Sequence, residues 1–384
     1  MERVTRKNKN NESTLPLTIS AQDGLVDQNT YFNKQVASKD MSNYYLLKKS
    51  DFAYNKSYSN GFPLGTVKRL DKYDEGTLSS LYIVFRPKKV NSDFLSIYYD
   101  TNKWHREVMK LSAEGARNHG LLNIPVNSFF EKKIIIPILE EEQLKIAKFL
   151  KRLEKIITLH QRKINTLEAQ KKAYLNVMFP KNKQTKPNLR FNRYIDEWEQ
   201  RKLKELAVID TGKAFKSEYF HKEGAYLVVT NKNIRDQKHI IVSQGDRIDI
   251  TESTVLNRYL LSGENILITM DGVHIGKSGR YSDDNSVLAQ RVARIRSENI
   301  SFVDQVIQRN SFLRKMNKLS VGNAIKHISL KNISDYSLMA PTESEEKNNI
   351  GNFLEKLDII LSLYHSKLSI LKQLKQVYLN KMFI

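Results

Sequence analysis

Residues 137–179, PILEEEQLKIAKFLKRLEKIITLHQRKINTLEAQKKAYLNVMF, align without a gap with residues 341–383, PTESEEKNNIGNFLEKLDIILSLYHSKLSILKQLKQVYLNKMF. Both segments start with the pattern Pro-x-x-x-Glu-Glu-x-x-x-Ile-x-x-Phe-Leu and end with Tyr-Leu-Asn-x-Met-Phe. Similarity of this length, repeated at about half the chain length, indicates an internal duplication. The sequence therefore predicts two equivalent long elements, one in each half of the chain.

Apolar residues recur every seven positions in both copies, on two rows four residues apart. This period is typical of helices that pair as a coiled coil. Each copy also begins after a proline with carboxylates in its first turn, where the helix dipole favours negative charge. The forty residues from Glu140 to Phe179, at a rise of about 1.5 Å each, would form a helix about 60 Å long. The predicted seam consists of Ile146, Leu150, Leu153, Ile157, Ile164, Leu167, Ile350, Leu354, Leu357, Leu361, Leu368 and Leu371.

The segments ahead of the two helices have a different composition, rich in β-branched runs that predict strands. In the first half these runs are Leu15–Ser20, Asp51–Asn55 and Ser80–Phe85. In the second half they are Ala225–Thr230, His239–Val242, Asn265–Thr269 and Arg291–Ile295. Short helical stretches follow around Asp93 to Leu111 and Phe302 to Lys318.

We therefore expect an α+β fold, with two β-rich domains separated by two long antiparallel coiled-coil helices under a pseudo-twofold axis. The helices would run antiparallel because the second rod must return along the first to bury its apolar stripe. The globular parts diverge while the helices repeat closely, which indicates one scaffold that carries two different specificities.

The chain divides into five expected segments. These are a first β-rich domain at 1–136, a first long helix at 137–180, a linker at 181–197, a second β-rich domain at 198–340 and a second long helix at 341–384. The linker is polar, basic and bounded by prolines. The second domain opens on Trp198–Leu206, whereas Glu2 already corresponds to about Ala207. We therefore expect the opening of the first domain to be missing.

The charge of the chain points to a polyanionic partner. Lys and Arg number 63 against 42 Asp and Glu, which leaves a formal charge of +21. Such an excess is typical of proteins that bind nucleic acid, although a lysine-rich surface that only reflects composition stays a possible reading. The hydrophobic content of 40% and the small number of Gly (15) and Pro (8) are those of a folded globular protein.

Several classes of chemistry are excluded by the residues that the sequence lacks. There is no cysteine, so disulfides, thiolate metal sites and a cysteine nucleophile are ruled out. No apolar run is long enough to cross a membrane, and the N-terminus does not resemble a signal peptide. His160 has no second ligand one turn away, so we expect no metal site. An adenine methyltransferase motif would contain a Pro-Pro pair, and the sequence has none. The Gly272–Ser278 segment is one residue shorter than a phosphate-binding loop. We expect no catalytic residue.

The duplicated arrangement resembles the specificity subunit of bacterial type I restriction-modification enzymes. The resemblance covers nearly the whole chain and rests on Trp198–Leu206, on the helix starts at Pro137 and Pro341, and on the twin helix ends. It implies that each variable domain reads one half of a split double-stranded DNA target. It also implies that the helices set the gap and dock two methyltransferase subunits, which a restriction and translocase subunit can join.

The same resemblance implies a cytoplasmic, non-catalytic chain without a cofactor of its own. S-adenosylmethionine would belong to the methyltransferase subunits, and ATP with Mg would serve the restriction subunit. Two other readings stay open on the sequence. The chain could be a coiled-coil scaffold that binds proteins, or the recognition half of an enzyme that has lost its catalytic part.

Side chains that can present two hydrogen bonds to a base edge are the candidates for sequence readout where they follow the predicted strands. Each could equally belong to a solvated turn. The candidates are Ser20, Gln22, Asp23, Lys56 and Tyr58 in the first domain, and Thr230, Asn231, Lys232, Asn233, Arg235 and Asp271 in the second.

Basic residues near these loops are expected to contact the DNA backbone and to position the protein without reading sequence. The candidates are Lys7, Lys48, Lys49, Lys68, Arg69, Lys213, Lys216, Lys277 and Arg280. The Gly272–Ser278 segment, which contains Lys277, is expected to be a basic turn between strands.

Overall fold

The structure is a computed structural model that describes residues 1–59, 61–111, 122, 124–181, 184–234, 238–272, 274–322 and 326–383. The chain separates into two compact units. Unit 1 comprises Met1–Gln161 and Ser366–Ile384, and unit 2 comprises Arg162–His365. Each unit therefore contains one β-rich segment and part of both long helices.

The described residues of unit 1 form a four-stranded sheet and two separate two-stranded sheets. The four-stranded sheet is antiparallel, in the order β1 (Glu2–Arg3), β8 (Ile83–Arg86), β5 (Phe52–Asn55), β6 (Thr66–Arg69). The hairpin of β2 (Leu17–Ser20) and β3 (Gly24–Asp27) and the pair of β4 (Tyr45–Lys48) and β7 (Glu75–Leu78) stand beside it.

The helices of unit 1 pack an aromatic core against the four-stranded sheet. They are α2 (Ser92–Tyr99), α3 (His105–Leu111), α4 (Val126–Glu131) and the start of α5 (Glu140–Val177), whereas the short α1 (Gln28–Phe32) has no buried residue. Asn91 caps α2 by accepting hydrogen bonds from the amides of Asp93 and Phe94. Phe94 then packs on Phe383 at the end of the second long helix, with ring centroids 5.1 Å apart.

The described residues of unit 2 form a six-stranded sheet and a small two-stranded one. The large sheet has the order β10 (Val208–Thr211), β15 (Val292–Arg296), β13 (Leu260–Thr269), β14 (Ser278–Leu288), β11 (Tyr226–Val229), β12 (Arg247–Ile248). Its neighbours are antiparallel except for the parallel pair β11 and β14. The small sheet pairs β9 (Glu199–Lys202) with β16 (Ser337–Ala340).

The core of unit 2 lies between the large sheet and its helices. These are α6 (Leu203–Leu206), α7 (Ser253–Tyr259), α8 (Ile300–Ile307), α9 (Asn310–Leu319), α10 (Leu330–Ser334) and the first part of α11 (Ser344–Met382). Phe302 of α8 stacks on Phe179 at the end of the first long helix, with ring centroids 5.6 Å apart. This contact is the counterpart of the Phe94 and Phe383 contact in unit 1.

The long helices α5 and α11 run antiparallel within each unit, and their contacts repeat. In unit 1, Lys375 donates to Glu154 and Phe149 packs edge-on against Tyr378. In unit 2, the repeat equivalents make the same contacts: Lys171 pairs with Asp358, and Tyr174 packs edge-on against Phe353. The duplication seen in the sequence is thus a duplication of side-chain contacts.

The apolar rows of both helices form the seam. Nine of its residues are buried, namely Leu150, Leu153, Ile157, Ile164, Leu167, Ile350, Leu354, Leu361 and Leu368, while Ile146, Leu357 and Leu371 are half-buried. Lys171 lies on a seam row but is only slightly exposed, because its ammonium group reaches Asp358. A polar pair at such a position fixes the register of the two helices.

The predicted fold class is confirmed as an α+β fold with two long coiled-coil helices. Several details differ from the expectation. His239–Val242 is not a strand, since it contributes only an isolated bridge between His239 and Arg280. The long strand β14 was not predicted, because its middle, Ser282–Ser286, reads as a polar loop.

Candidate nucleic-acid interface

Five segments of unit 2 meet beyond the ends of its strands: residues 211–213, 229–233, 270–272, 289–291 and 326–328. Backbone hydrogen bonds tie them together. Gln290 N donates to Lys213 O (2.9 Å), Ala289 N to Val229 O (3.0 Å), Met270 N to Arg291 O (3.1 Å) and Gly272 N to Lys326 O (3.0 Å). We call these segments the loop cluster. A cavity of about 250 Å³ opens between its first, second and fourth segments.

The predicted readout residues after β11 form one turn of this cluster. The amide and hydroxyl of Thr230 both donate to Asn233 Oδ1 (2.8 and 3.0 Å), so these two side chains hold a short 3-10 turn over Asn231–Asn233. Lys232 is exposed and Asn231 half-exposed on the turn. Arg235 lies outside the described residues. The turn therefore presents Asn231 and Lys232, while Thr230 and Asn233 shape it.

Asp271 is buried and holds Arg291, an arginine that the sequence analysis did not include among the readout candidates. Its carboxylate accepts a hydrogen bond from Arg291 Nη1 (2.8 Å) and contacts Nδ1 of His327. Arg291 is exposed and has a left-handed backbone (φ 68°) in the turn between β14 and β15. The available signal was the polar pair Gln290 and Arg291 between two short apolar runs, Val287–Ala289 and Val292–Ala293. Asp271 thus positions an arginine, the side chain that most often reads guanine.

The other basic candidates of unit 2 lie in different surroundings. Lys213 is half-exposed inside the loop cluster, and Lys216 is exposed with its ammonium group 3.3 Å from Glu218. Lys277 is half-exposed in the connection between β13 and β14, as the sequence indicated for the Gly272–Ser278 segment. Of these three lysines, Lys213 lies next to the Asn231–Asn233 turn, since both line the same cavity.

Arg280 is a buried cation and is not placed for a DNA contact. It is 7% exposed, and its guanidinium group lies 3.0 Å from Glu264, 3.2 Å from Glu355 and 3.4 Å from Asp304. Burial raises the pKa of Asp304, and the positive charge of Arg280 opposes this rise. These carboxylates already neutralise the guanidinium charge, so the structure argues against a phosphate contact by Arg280 and for a role in seating β14 on α8 and α11.

The first readout group of unit 1 is the turn between β2 and β3. Ser20 is buried, and its hydroxyl donates to Asp23 Oδ2 (2.9 Å) while it accepts from the Asp23 amide (3.1 Å). Gln22 and Asp23 are exposed at the tip of the turn. Ser20 therefore shapes the turn, and Gln22 is the amide side chain that it presents to solvent.

The second readout group of unit 1 follows β5 on the four-stranded sheet. Lys56 is half-exposed and Tyr58 exposed there. This group and the β2–β3 turn belong to different sheets, so unit 1 has no single cluster like that of unit 2 among these candidates.

The basic candidates of unit 1 are mostly paired. Lys7 donates to Asn43 O (2.9 Å) above the ring of Tyr45, while Lys48 is exposed. Lys49 pairs with Asp74 (3.1 Å) and Lys68 with Asp100 (2.7 Å). Arg69 is largely buried and bridges Asp71 and Asp93, both at 2.7 Å. Exposed ion pairs such as Lys49 with Asp74 contribute little to stability. Arg69 is buried, and its charge is already paired within the fold.

The long helices also carry apolar residues outside their seam. Ile156 and Leu159 of α5 are exposed, and so are their repeat equivalents Ile360 and Leu363 of α11. We call these four residues the outer helix faces. The same two apolar positions are thus exposed in both copies of the repeat. In the described part of the chain, no helix is both long and apolar enough to cross a membrane.

The fold and the loop cluster define a duplicated α+β protein in which two divergent β-rich units share one pair of long helices. The family described as "Type I restriction modification DNA specificity domain" matches residues 8–169 and 195–373. The chain therefore belongs to this family. It is a non-catalytic specificity subunit with two DNA-recognition domains, as the sequence resemblance indicated.

Two similar proteins agree with this assignment. The type I restriction enzyme MjaVIII specificity subunit of Methanocaldococcus jannaschii is 24% identical over 322 residues, which span 80% of this chain and 73% of that protein. The crystal structure of the type I restriction-modification system S subunit from M. genitalium aligns with a TM-score of 0.57 at 16% identity. That alignment covers 91% of this chain and 87% of the other, and it shows the shared fold.

Proposed function

We propose that this chain reads a bipartite double-stranded DNA target, with one half-target for each β-rich unit. The observation that carries the proposal is the duplication: the helix contacts repeat in both units, while the loops that carry the readout candidates differ in sequence. A scaffold that repeats while its reading loops diverge is suited to two different short sequences. The five-segment division at 1–136, 137–180, 181–197, 198–340 and 341–384 is part of the proposal, with the paired helices as the spacer.

The loop cluster of unit 2 has the chemistry for base readout. Arg291 offers a two-pronged donor for guanine, and Asn231 offers the amide that pairs with adenine. Lys213 and Lys232 lie beside them and would contact phosphates. We assign Gln22, Asp23, Lys56 and Tyr58 the corresponding role in unit 1, with Lys7 and Lys48 as its backbone contacts.

The outer helix faces support a second part of the proposal, the docking of two methyltransferase subunits. The same pair of apolar residues appears on each long helix, so two equivalent partners fit better than one. These subunits would bind S-adenosylmethionine and methylate adenine, and a restriction and translocase subunit using ATP and Mg would complete a cleaving complex. We place the assembly in the cytoplasm, where it would meet DNA.

Duplex binding by the purified chain is expected to weaken steeply as salt rises. Each phosphate that the chain neutralises releases counterions, which gives a slope of about −0.9 per contact in log affinity against log salt. Titrating a fluorescent duplex at several salt concentrations measures this slope. A flat dependence would remove the DNA role and favour a scaffold that binds proteins.

Replacing Asn231 with alanine is expected to relax one half-target and leave the other unchanged. The loss of one two-bond base contact costs about 1 to 3 kcal/mol at that position. Methylation of a library with both half-targets randomised measures the change. Asn285→Ala, an exposed position in β14, is the matched control and should change nothing. Equal relaxation of both half-targets by Asn231→Ala would show that the residue supports folding instead of readout.

A further inference from the structure

His327 belongs to the loop cluster of unit 2, and backbone pairing holds it there on both sides. Its amide donates to Val321 O (2.8 Å), and its carbonyl accepts from the amide of Val321 (3.0 Å). On the other side it pairs with Asp271, where Ile328 N donates to Met270 O (2.9 Å). Ile328 is fully buried, so the backbone that carries His327 is fixed to the core.

The side chain of His327 shares one carboxylate with Arg291. Nδ1 of His327 contacts Oδ1 of Asp271, while Nη1 of Arg291 donates to Oδ2 of Asp271 (2.8 Å). The side chain of Asp271 is 5% exposed, whereas those of His327 and Arg291 are 46% and 62% exposed. A single buried carboxylate therefore holds two exposed side chains next to each other.

The carboxylate also decides which ring nitrogen of His327 carries the hydrogen. A carboxylate can only accept hydrogen bonds, so Nδ1 must donate to Asp271. In the neutral imidazole the other nitrogen, Nε2, is then an acceptor. Among the residues that the structure describes, none hydrogen-bonds to this nitrogen. His327 therefore offers a hydrogen-bond acceptor beside the donors of Arg291.

The two side chains are complementary to different bases in the major groove of DNA. The paired donors of an arginine match the O6 and N7 acceptors of guanine. A single acceptor matches the amino group of adenine or cytosine, whereas guanine and thymine present acceptors there. Because the arginine occupies both acceptors of one guanine, the side chain beside it is left for the neighbouring base pair, about 3.4 Å away.

We propose that His327 is a further specificity-determining residue of unit 2, which reads an adenine or cytosine in the base pair next to a guanine read by Arg291. Asp271 is the positioning residue for both contacts. This two-base step rests on the proposed base readout by the loop cluster, and it assigns one side chain to each of two neighbouring bases.

Sequencing the duplexes that the full chain retains from a randomised library tests the two-base step. The parent target should contain a guanine beside an adenine or cytosine. His327→Ala should admit guanine and thymine at that second position, with a loss of selectivity of about fivefold, as expected for one hydrogen bond. His327→Gln should instead favour adenine there, because an amide pairs with the adenine edge.

Two more variants test the shared carboxylate. Arg291→Ala should relax the guanine, and Asp271→Ala should relax both positions together, because it removes the acceptor that holds both side chains. His221→Ala is the matched control. His221 is a similarly exposed histidine of unit 2 that lies outside the loop cluster, 2.9 Å from the exposed carboxylate of Asp249, and its loss should change no base preference.

Three results for His327→Ala would overturn the assignment. These are unchanged base preferences, equal weakening on all duplexes, as the loss of a phosphate contact would give, and relaxation of a whole half-target, as a folding role would give. A parent chain that selects no split target would instead contradict the proposed function itself, so the two failures are distinct.

Discussion

Replacing Leu159 and Leu363 together with aspartate is expected to abolish methylation by the reconstituted complex. Burial of one leucine side chain contributes about 1.5 to 3 kcal/mol, and an aspartate would also carry charge into the contact. Losing both sites would lower the affinity for methyltransferase subunits at least about 100-fold, since 1.4 kcal/mol is tenfold. Methyl transfer from labelled S-adenosylmethionine to target DNA measures the loss.

Duplex binding by the same double variant should be unchanged, because the outer helix faces are not part of the loop cluster. Leu81→Asp is the matched control, since Leu81 is an exposed leucine on a turn of unit 1 and is not part of either long helix. Full methylation by the double variant at limiting methyltransferase concentration would show that the subunits dock elsewhere.

Inserting seven residues after Gln161 and seven after His365 is expected to lengthen the gap between the half-targets by about three base pairs. The two insertion points are repeat equivalents and coincide with the boundaries between the units. The pairs Glu154 with Lys375 and Lys171 with Asp358 keep their partners, because each pair lies within one unit. Seven helical residues add about 10 Å, and base pairs are spaced about 3.4 Å apart.

Methylation at the original spacing should then be lost, and both half-targets should stay the same. Three base pairs also rotate one half-target by about 100° relative to the other, so bending must absorb the twist and some activity should be lost. Inserting seven residues in one helix alone is the control, and it should destabilise the chain because one register must break. An unchanged gap in a folded, active double insertion would show that the helices do not set the spacing.

The long helices could be predicted from the sequence because a seven-residue period carries its own geometry. The same period identified which residues lie at the seam, and Leu354 and Ile164 are buried as it implies. Strands rich in β-branched or apolar residues, such as β11 and β15, were also predicted. The strand β14 was missed because its middle is polar, and its side chains hydrogen-bond to one another within the strand, as Tyr281 and Ser286 do to Asp283.

The candidate interface was less accessible to sequence reasoning, because it depends on which loops meet. Thr230 and Asn231 are adjacent and alike in chemistry, yet one shapes the turn and the other is presented by it. Arg280 and Arg291 both lie in basic surroundings of the second domain. Only the fold shows that the first is surrounded by carboxylates while the second is exposed and held by Asp271. The sequence alone contains no such distinction.

Mapping methylated adenines in cells with and without this chain tests the central claim most directly. The proposed function predicts methylation at two short fixed half-targets separated by a gap of constant length, and only in cells that contain the chain. Methylation at the same sites without the chain, or at a single uninterrupted sequence, would contradict a bipartite specificity subunit.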